Sequence, residues 1–123
     1  MIPSSADGRP TTIEIGAKNE DRASSFLADL GYVIVERNFK TKLGELDIIA
    51  WDGDVLVFVE VRSRTTGSFG HAAESVNRTK RARVARMAAL YLGWRRPSFA
   101  YARFDVLAFT ASAVDHIVDA WRL

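Results

Sequence analysis

No cysteine occurs among the 123 residues, which excludes structural disulfides, thiolate zinc sites and cysteine nucleophiles and permits a reducing compartment. Histidine is almost as scarce. His71 and His116 are the only two, and neither has a partner at metal-ligand spacing, so both read as structural or exposed. Ser63, Thr65, Thr66 and Ser68 lack an accompanying His-Asp signal, leaving a serine-hydrolase triad unsupported. A glycine-rich phosphate loop of the Walker or dinucleotide type is absent. No run approaches the roughly eighteen apolar residues of a membrane span, and the opening Met-Ile-Pro-Ser-Ser-Ala-Asp-Gly has no signal-peptide core. A soluble, cytoplasmic protein with no membrane partner is expected, with residues 1–12 as a disordered tail before a single domain over 13–123. Acidic residues are also missing from Ser75 to Phe104, where Arg78, Lys80, Arg81, Arg83, Arg86, Arg95, Arg96 and Arg103 stand without a balancing carboxylate. The overall net charge is +2, so the rest of the chain is acidic. That asymmetry points to a polyanion meeting one part of the molecule while acids gather elsewhere.

What is present centres on residues 44–62. Asp52-Gly53 is a strong hairpin signal, because a type I′ turn needs positive φ at both central positions. Pairing Trp51 with Asp54 sets Ala50 opposite Val55, Ile48 opposite Val57 and Leu46 opposite Val59, an apolar face throughout. The other face then carries Glu45 opposite Glu60, with Asp47 beside them and Arg62 two positions on. Like charges placed directly opposite are destabilising, so a divalent metal, a basic neighbour or a raised carboxyl pKa should compensate. Hard cations such as Mg²⁺ or Mn²⁺ prefer such oxygens. The bland alternative is that Glu45 and Glu60 merely edge a solvated sheet face; Ile49, Leu56 and Phe58 on the same face argue against it.

Helical spacing runs from Ile13 to Leu30, with Ala23, Phe26, Leu27 and Leu30 on one face and Gly31 as its stop. Tyr32–Glu36 reads as a strand, the hairpin strands follow at 44–51 and 54–62, and Ser63–Glu74 is a loop. A second helix spans Val76–Leu92, with Val76, Val84, Met87, Ala88 and Tyr91 apolar and Gly93 as its C-cap. Strands at 101–109 and 114–121 close an α/β order of α-β-β-β-α-β-β, a mixed β-sheet flanked by helices. The basic helix offers Arg78, Lys80, Arg81, Arg83 and Arg86 to phosphates, against the plainer reading of a solvated face.

Glu20, Gly44-Glu45-Leu46-Asp47 and Val59-Glu60-Val61-Arg62, with Arg37-Asn38-Phe39, Phe69-Gly70-His71-Ala72-Ala73-Glu74, Lys80 and Arg103-Phe104-Asp105-Val106, resemble the YraN family of small bacterial proteins. The likeness extends from about Gly16 to Phe109. That family is similar to the PD-(D/E)XK nucleases, including archaeal Holliday-junction resolvases, which implies a restriction-endonuclease-like core. The resemblance also implies Asp47, Glu60 and Glu20 as metal ligands for Mg²⁺ or Mn²⁺, with Glu45 behind them. Arg62 falls where lysine is usual, and Lys80 could supply the missing ammonium; Asn19 replaces a usual glycine. The implied activity is metal-dependent phosphodiester hydrolysis on DNA, ahead of RNA, on branched or single-stranded substrates, with Arg64 touching DNA and a homodimer suiting a two-fold substrate. The alternative is a nucleic-acid-binding module of the same fold, weak in catalysis because Arg62 cannot act as a base. A protein-interaction role ranks last, since it leaves both charge clusters without a cause.

Overall fold

The computed structural model describes residues 12–63, 78–110 and 112–121. In order, α1 spans Thr12–Asp29, β1 Val33–Thr41, β2 Gly44–Asp52, β3 Val55–Ser63, α2 Arg78–Arg95, β4 Tyr101–Phe109 and β5 Val114–Trp121. This is the expected α/β order. The assignments of residues 1–11 to a tail and of 64–74 to a loop, together with Arg64, His71 and Val76, lie outside the described residues. No helix among the described residues is long and apolar enough to cross a membrane.

The five strands lie side by side in chain order. β1, β2 and β3 form an antiparallel meander, β3 and β4 pair in parallel, and β5 returns antiparallel along β4. A parallel neighbour cannot be reached by a tight turn, so the chain crosses over through α2. Each sheet face is covered by one helix. On the α1 side, Ala23 and Leu27 pack with Ile48, Ala50, Val57, Val59 and Leu107. On the α2 side, Val84, Met87, Ala88 and Tyr91 pack with Ile49, Leu56, Phe58, Phe104 and Val106. Burial on both faces explains the nearly unbroken apolar run of β3.

Helix α1 ends as Gly31 suggested. Gly31 has φ 91°, its N–H donates to Ala28 O at 3.0 Å, and the Tyr32 N–H donates to Leu27 O at 3.0 Å, which is the Schellman arrangement. Leu30 sits in this turn and is exposed, off the apolar face assigned to it. Helix α2, by contrast, runs through Gly93. Its left-handed residue is Arg96, φ 47°, immediately before Pro97, whose ring cannot continue a helix.

Two strand expectations need correction. β1 is longer than Tyr32–Glu36 and includes Arg37, Phe39 and Lys40; an irregularity between Ile34 and Glu36 interrupts the alternation that would have announced it. The hairpin register is shifted by two residues, with Asp52 opposite Val55, Ala50 opposite Val57 and Ile48 opposite Val59. The two-residue loop is Gly53-Asp54, and only Gly53 has positive φ, 63°, which suits a turn with glycine at its first central position. A shift of two keeps every β3 side chain on its expected face. On β2, however, Leu46 leaves its expected face and joins the α2-side core with Ile49, so alternation along β2 breaks at Asp47.

Candidate functional site

That break has a local cause. Phe39 pairs with Leu46 and Arg37 with Ile48, but Asn38 between them adopts φ 55°, a left-handed conformation that asparagine tolerates better than most residues. Asp47 therefore lies at an interruption in the β1–β2 ladder. It also lies just beyond the last β2–β3 pair, Ile48 with Val59. The Val61 N–H donates to Asp47 Oδ2 at 2.9 Å, so a side chain replaces the next backbone partner.

Glu20 arrives from α1, where it shares a stripe with Ala23 and Leu27 at positions i, i+3 and i+7. Glu45 comes from the start of β2, opposite Lys40. One oxygen each from Glu20, Glu45 and Asp47 lies within 4.8 Å of the others. Among the described residues this is the set of three that forms, with Glu45 in the place assigned to Glu60. The expected pairing of Glu45 with Glu60 across the hairpin is lost with the register shift.

Glu60 stands beside the set, held by cations. Lys80 Nζ, from the first turn of α2, lies 2.8 Å from its Oε1, and Arg62 Nη2 lies 3.7 Å from the same oxygen. The Asp47 carboxyl is nevertheless pushed up to about 8, first by burial, then by the Glu60 charge, with Glu45 and Glu20 adding and the Val61 N–H opposing. Three carboxylates, Glu60, Glu45 and Glu20, thus act on a fourth that holds its proton to higher pH. The cationic rim includes two residues given no site role from the sequence: Arg37 at 3.7 Å from Glu20 and 2.9 Å from Asp21, and Lys40 at 3.8 Å from Glu45. Their signal would have been the full length of β1.

Arg62 carries a further feature. Its Nε and Nη2 are shielded from solvent and have no hydrogen-bond partner among the described residues, although the guanidinium has five donors suited to phosphate oxygens. The basic residues of α2 are arranged unevenly around this rim. Lys80 reaches Glu60, and the aliphatic stem of Arg83 passes close to Gly44, where a Cβ would meet its Cδ at 3.5 Å. Arg78 and Arg86 are exposed and Arg81 is half-buried. No acid occupies the first turn of α2, so its positive helix end and its cations act together.

Two other cations of the basic segment, Arg103 and Arg95, are paired with acids of the chain. Arg103 binds Asp105 through Nε at 2.9 Å and Nη2 at 3.1 Å, Asp52 through Nη1 at 3.0 Å, and the Tyr32 hydroxyl at 2.7 Å. His116 Nε2 lies 2.8 Å from Asp105 Oδ2, and the Asp119 N–H donates to Oδ1 at 2.9 Å. Burial alone would raise the Asp105 carboxyl; the bonds from His116, Arg103 and the Asp119 N–H hold it below its ordinary value. An ionised Asp105 accepts only, so His116 Nε2 is the donor. Asp52 is therefore more than a turn residue, and His116 is structural. Arg95 makes two bonds of 3.1 Å to Glu36.

The oxygen-only donor set fits a hard divalent cation such as Mg²⁺ or Mn²⁺ better than a softer metal. A cation there would relieve the crowding that makes Asp47 keep its proton.

Residues 19–109 match the model of a family described as "Uncharacterised protein family UPF0102". A UPF0102 protein of Dictyoglomus thermophilum is 44% identical over 106 residues, which is 86% of this chain and 90% of that protein. One of Moorella thermoacetica is 48% identical over 93 residues, 76% and 78% of the two chains. One of Chlorobaculum tepidum is 45% identical over 101 residues, 82% and 78%.

Proposed function

The chain belongs to the UPF0102 family, the YraN family of the resemblance, and from that premise we propose that it is a nuclease-like protein that hydrolyses DNA phosphodiesters with Mg²⁺ or Mn²⁺. The observation that carries this reading is the convergence of Glu20, Glu45 and Asp47 within 4.8 Å, with the half-buried Arg62 paired to neighbouring Glu60 and its shielded Nε and Nη2 without a hydrogen-bond partner among the described residues. Carboxylates alone call for a cation; the guanidinium next to them calls for an anion. A phosphate bound through a metal satisfies both.

Asp47 and Glu20 would hold the ion, with Glu45 completing the set and Glu60 close enough to act on Asp47 electrostatically. Bound there, a divalent ion supplies charge neutralisation on a phosphoryl oxygen and a more acidic water. Arg62 offers its Nε and Nη2 hydrogens to the phosphate and stays protonated throughout. Lys80 fixes the Glu60 carboxylate and stands where an ammonium can face the same phosphate. Arg78, Arg81, Arg83 and Arg86 would receive the flanking backbone.

The test is cleavage of linear, branched and single-stranded DNA in Mn²⁺ or Mg²⁺ at low salt. Nicking by the wild type, absent in Asp47→Ala and Glu20→Ala, is expected; no cleavage of any substrate would overturn the catalytic reading. Arg62 itself favours one second reading, a binding module of the same fold, because a guanidinium cannot take a proton from water. In that case Arg62→Lys gains cleavage that the wild type lacks.

A further inference from the structure

A groove of about 530 Å³ runs between α2 and the sheet. Its floor is a stack of three rings. Phe58 and Phe104 lie 5.4 Å apart between centroids at 25°, and Phe104 and Trp121 lie 4.1 Å apart at 16°. Its helix wall is low, formed by Ala85, Ala88, Ala89 and Leu92, so small side chains leave the space open. Tyr101 stands at its mouth, 58% exposed. The volume is that of a small-molecule site.

Charge indicates what kind of molecule enters. Asp119 is the one ionisable group besides Tyr101 on the groove lining among the described residues. Along the helix, Ala85 and Ala89 continue the stripe that begins with Arg78 and Arg81, seven and four residues before Ala85. The groove therefore offers apolar and aromatic walls, one carboxylate, and cations at the end nearest the acid site. An apolar protein segment would use the walls but not the charges. A nucleotide uses all three: a flat base for the groove, an amino group for the carboxylate, a phosphate for the cations.

The groove also lies close to the carboxylates. A much smaller void, about 10 Å³, shares Phe58, Phe104 and Trp121 with it and reaches Glu60. Phe58 and Glu60 are two residues apart on one face of β3, about 7 Å along the strand. We infer that this groove receives an unpaired nucleobase of the nucleic-acid strand whose neighbouring phosphate lies at the acid site, with Asp119 accepting a hydrogen bond from the base's exocyclic amine. The inference rests on the nucleic-acid reading above and adds to it a preference for substrates with unstacked bases.

The experiment compares a short deoxycytidine strand with the same strand made abasic, at low salt without divalent metal, by affinity and by NMR of the labelled protein. The expected result is about tenfold tighter binding of the base-bearing strand, in the range that stacking of one base supplies. The Trp121 indole and the Ala85 and Ala89 methyl signals shift with that strand and not with the abasic one. In Ala89→Leu, a substitution at an exposed position that fills the groove, the ratio falls to about one. Equal binding of the two strands by the wild type, or binding that leaves those three signals in place, overturns the groove proposal while the nucleic-acid reading stands. Failure of both strands to bind overturns the two together, and the wild-type NMR readout decides the matter whether or not the variant folds.

Discussion

Asp47, half-buried, and Asp105, fully buried, both face charged partners, yet their surroundings push them in opposite directions. Asp47 meets like charges and is raised from 3.8 to about 8; Asp105 meets donors and is lowered. For Asp47 the folded chain binds the proton more tightly than the unfolded chain, so metal-free stability should be greatest below pH 4 as far as this group is concerned. It should then decline as pH rises towards about 8. Urea titrations of wild type and Asp47→Asn in chelator at pH 5, 7 and 9 check this: the stability difference should move in favour of the variant as pH rises. Calorimetry should show Mn²⁺ binding below pH 8 releasing a proton, and Asp47→Ala should abolish both heat and release. For Asp105 the sign reverses, and its contribution is kept above the unfolded pKa and lost as pH falls through the lowered folded one. Asp105→Asn removes the main counter-charge of the buried Arg103 and should destabilise by about 3–5 kcal/mol in equilibrium unfolding.

The elements that sequence alone announced are those whose signals are local. Gly31 at φ 91° closes α1 as its position suggested, and Gly31→Ala should cost about 1–2 kcal/mol by thermal or urea unfolding, because Cβ crowds the carbonyl in that conformation. The apolar stripe Val84, Met87, Ala88 and Tyr91 buried α2 as spaced. Three features were hidden. The hairpin register turned on which two residues form the loop, and Asp-Gly and Gly-Asp were both available in Asp52-Gly53-Asp54. Leu46 changed faces because Asn38, on another strand, entered the left-handed region, and no pattern within β2 carries that information. The replacement of Glu60 by Glu45 in the carboxylate set follows from the same two events. Tyr32, Asp52, Arg103, Asp105 and His116 come together from four places in the chain, so their network was visible only once the sheet order was known. Arg103 accordingly dropped out of the surface charge that the composition suggested, while Arg95 stays exposed and is paired with Glu36.

For the molecule as a whole, acids collect where β2 and β3 diverge and cations collect on the helix that crosses over them. Nucleic-acid affinity should therefore fall steeply with salt, and Arg83→Ala or Arg86→Ala should each reduce the slope of log K against log salt by roughly 0.7 to 0.9. Fluorescence anisotropy over a salt series measures it. The sheet is open, and its two outer strands are β1 and β5. Val33 and Val35 on the first and Val118 on the second are exposed, a composition that invites a foreign strand to dock. Yet β1 is interrupted between Ile34 and Glu36 and again at Asn38, and β5 is interrupted beside Asp119, φ 53°. An incoming strand would find no more than a few regular residues to hydrogen-bond before the border bends away. The Asn38 kink that reshapes the acid site should thus also oppose fibril growth along the β1 rim, as the Asp119 kink should along β5.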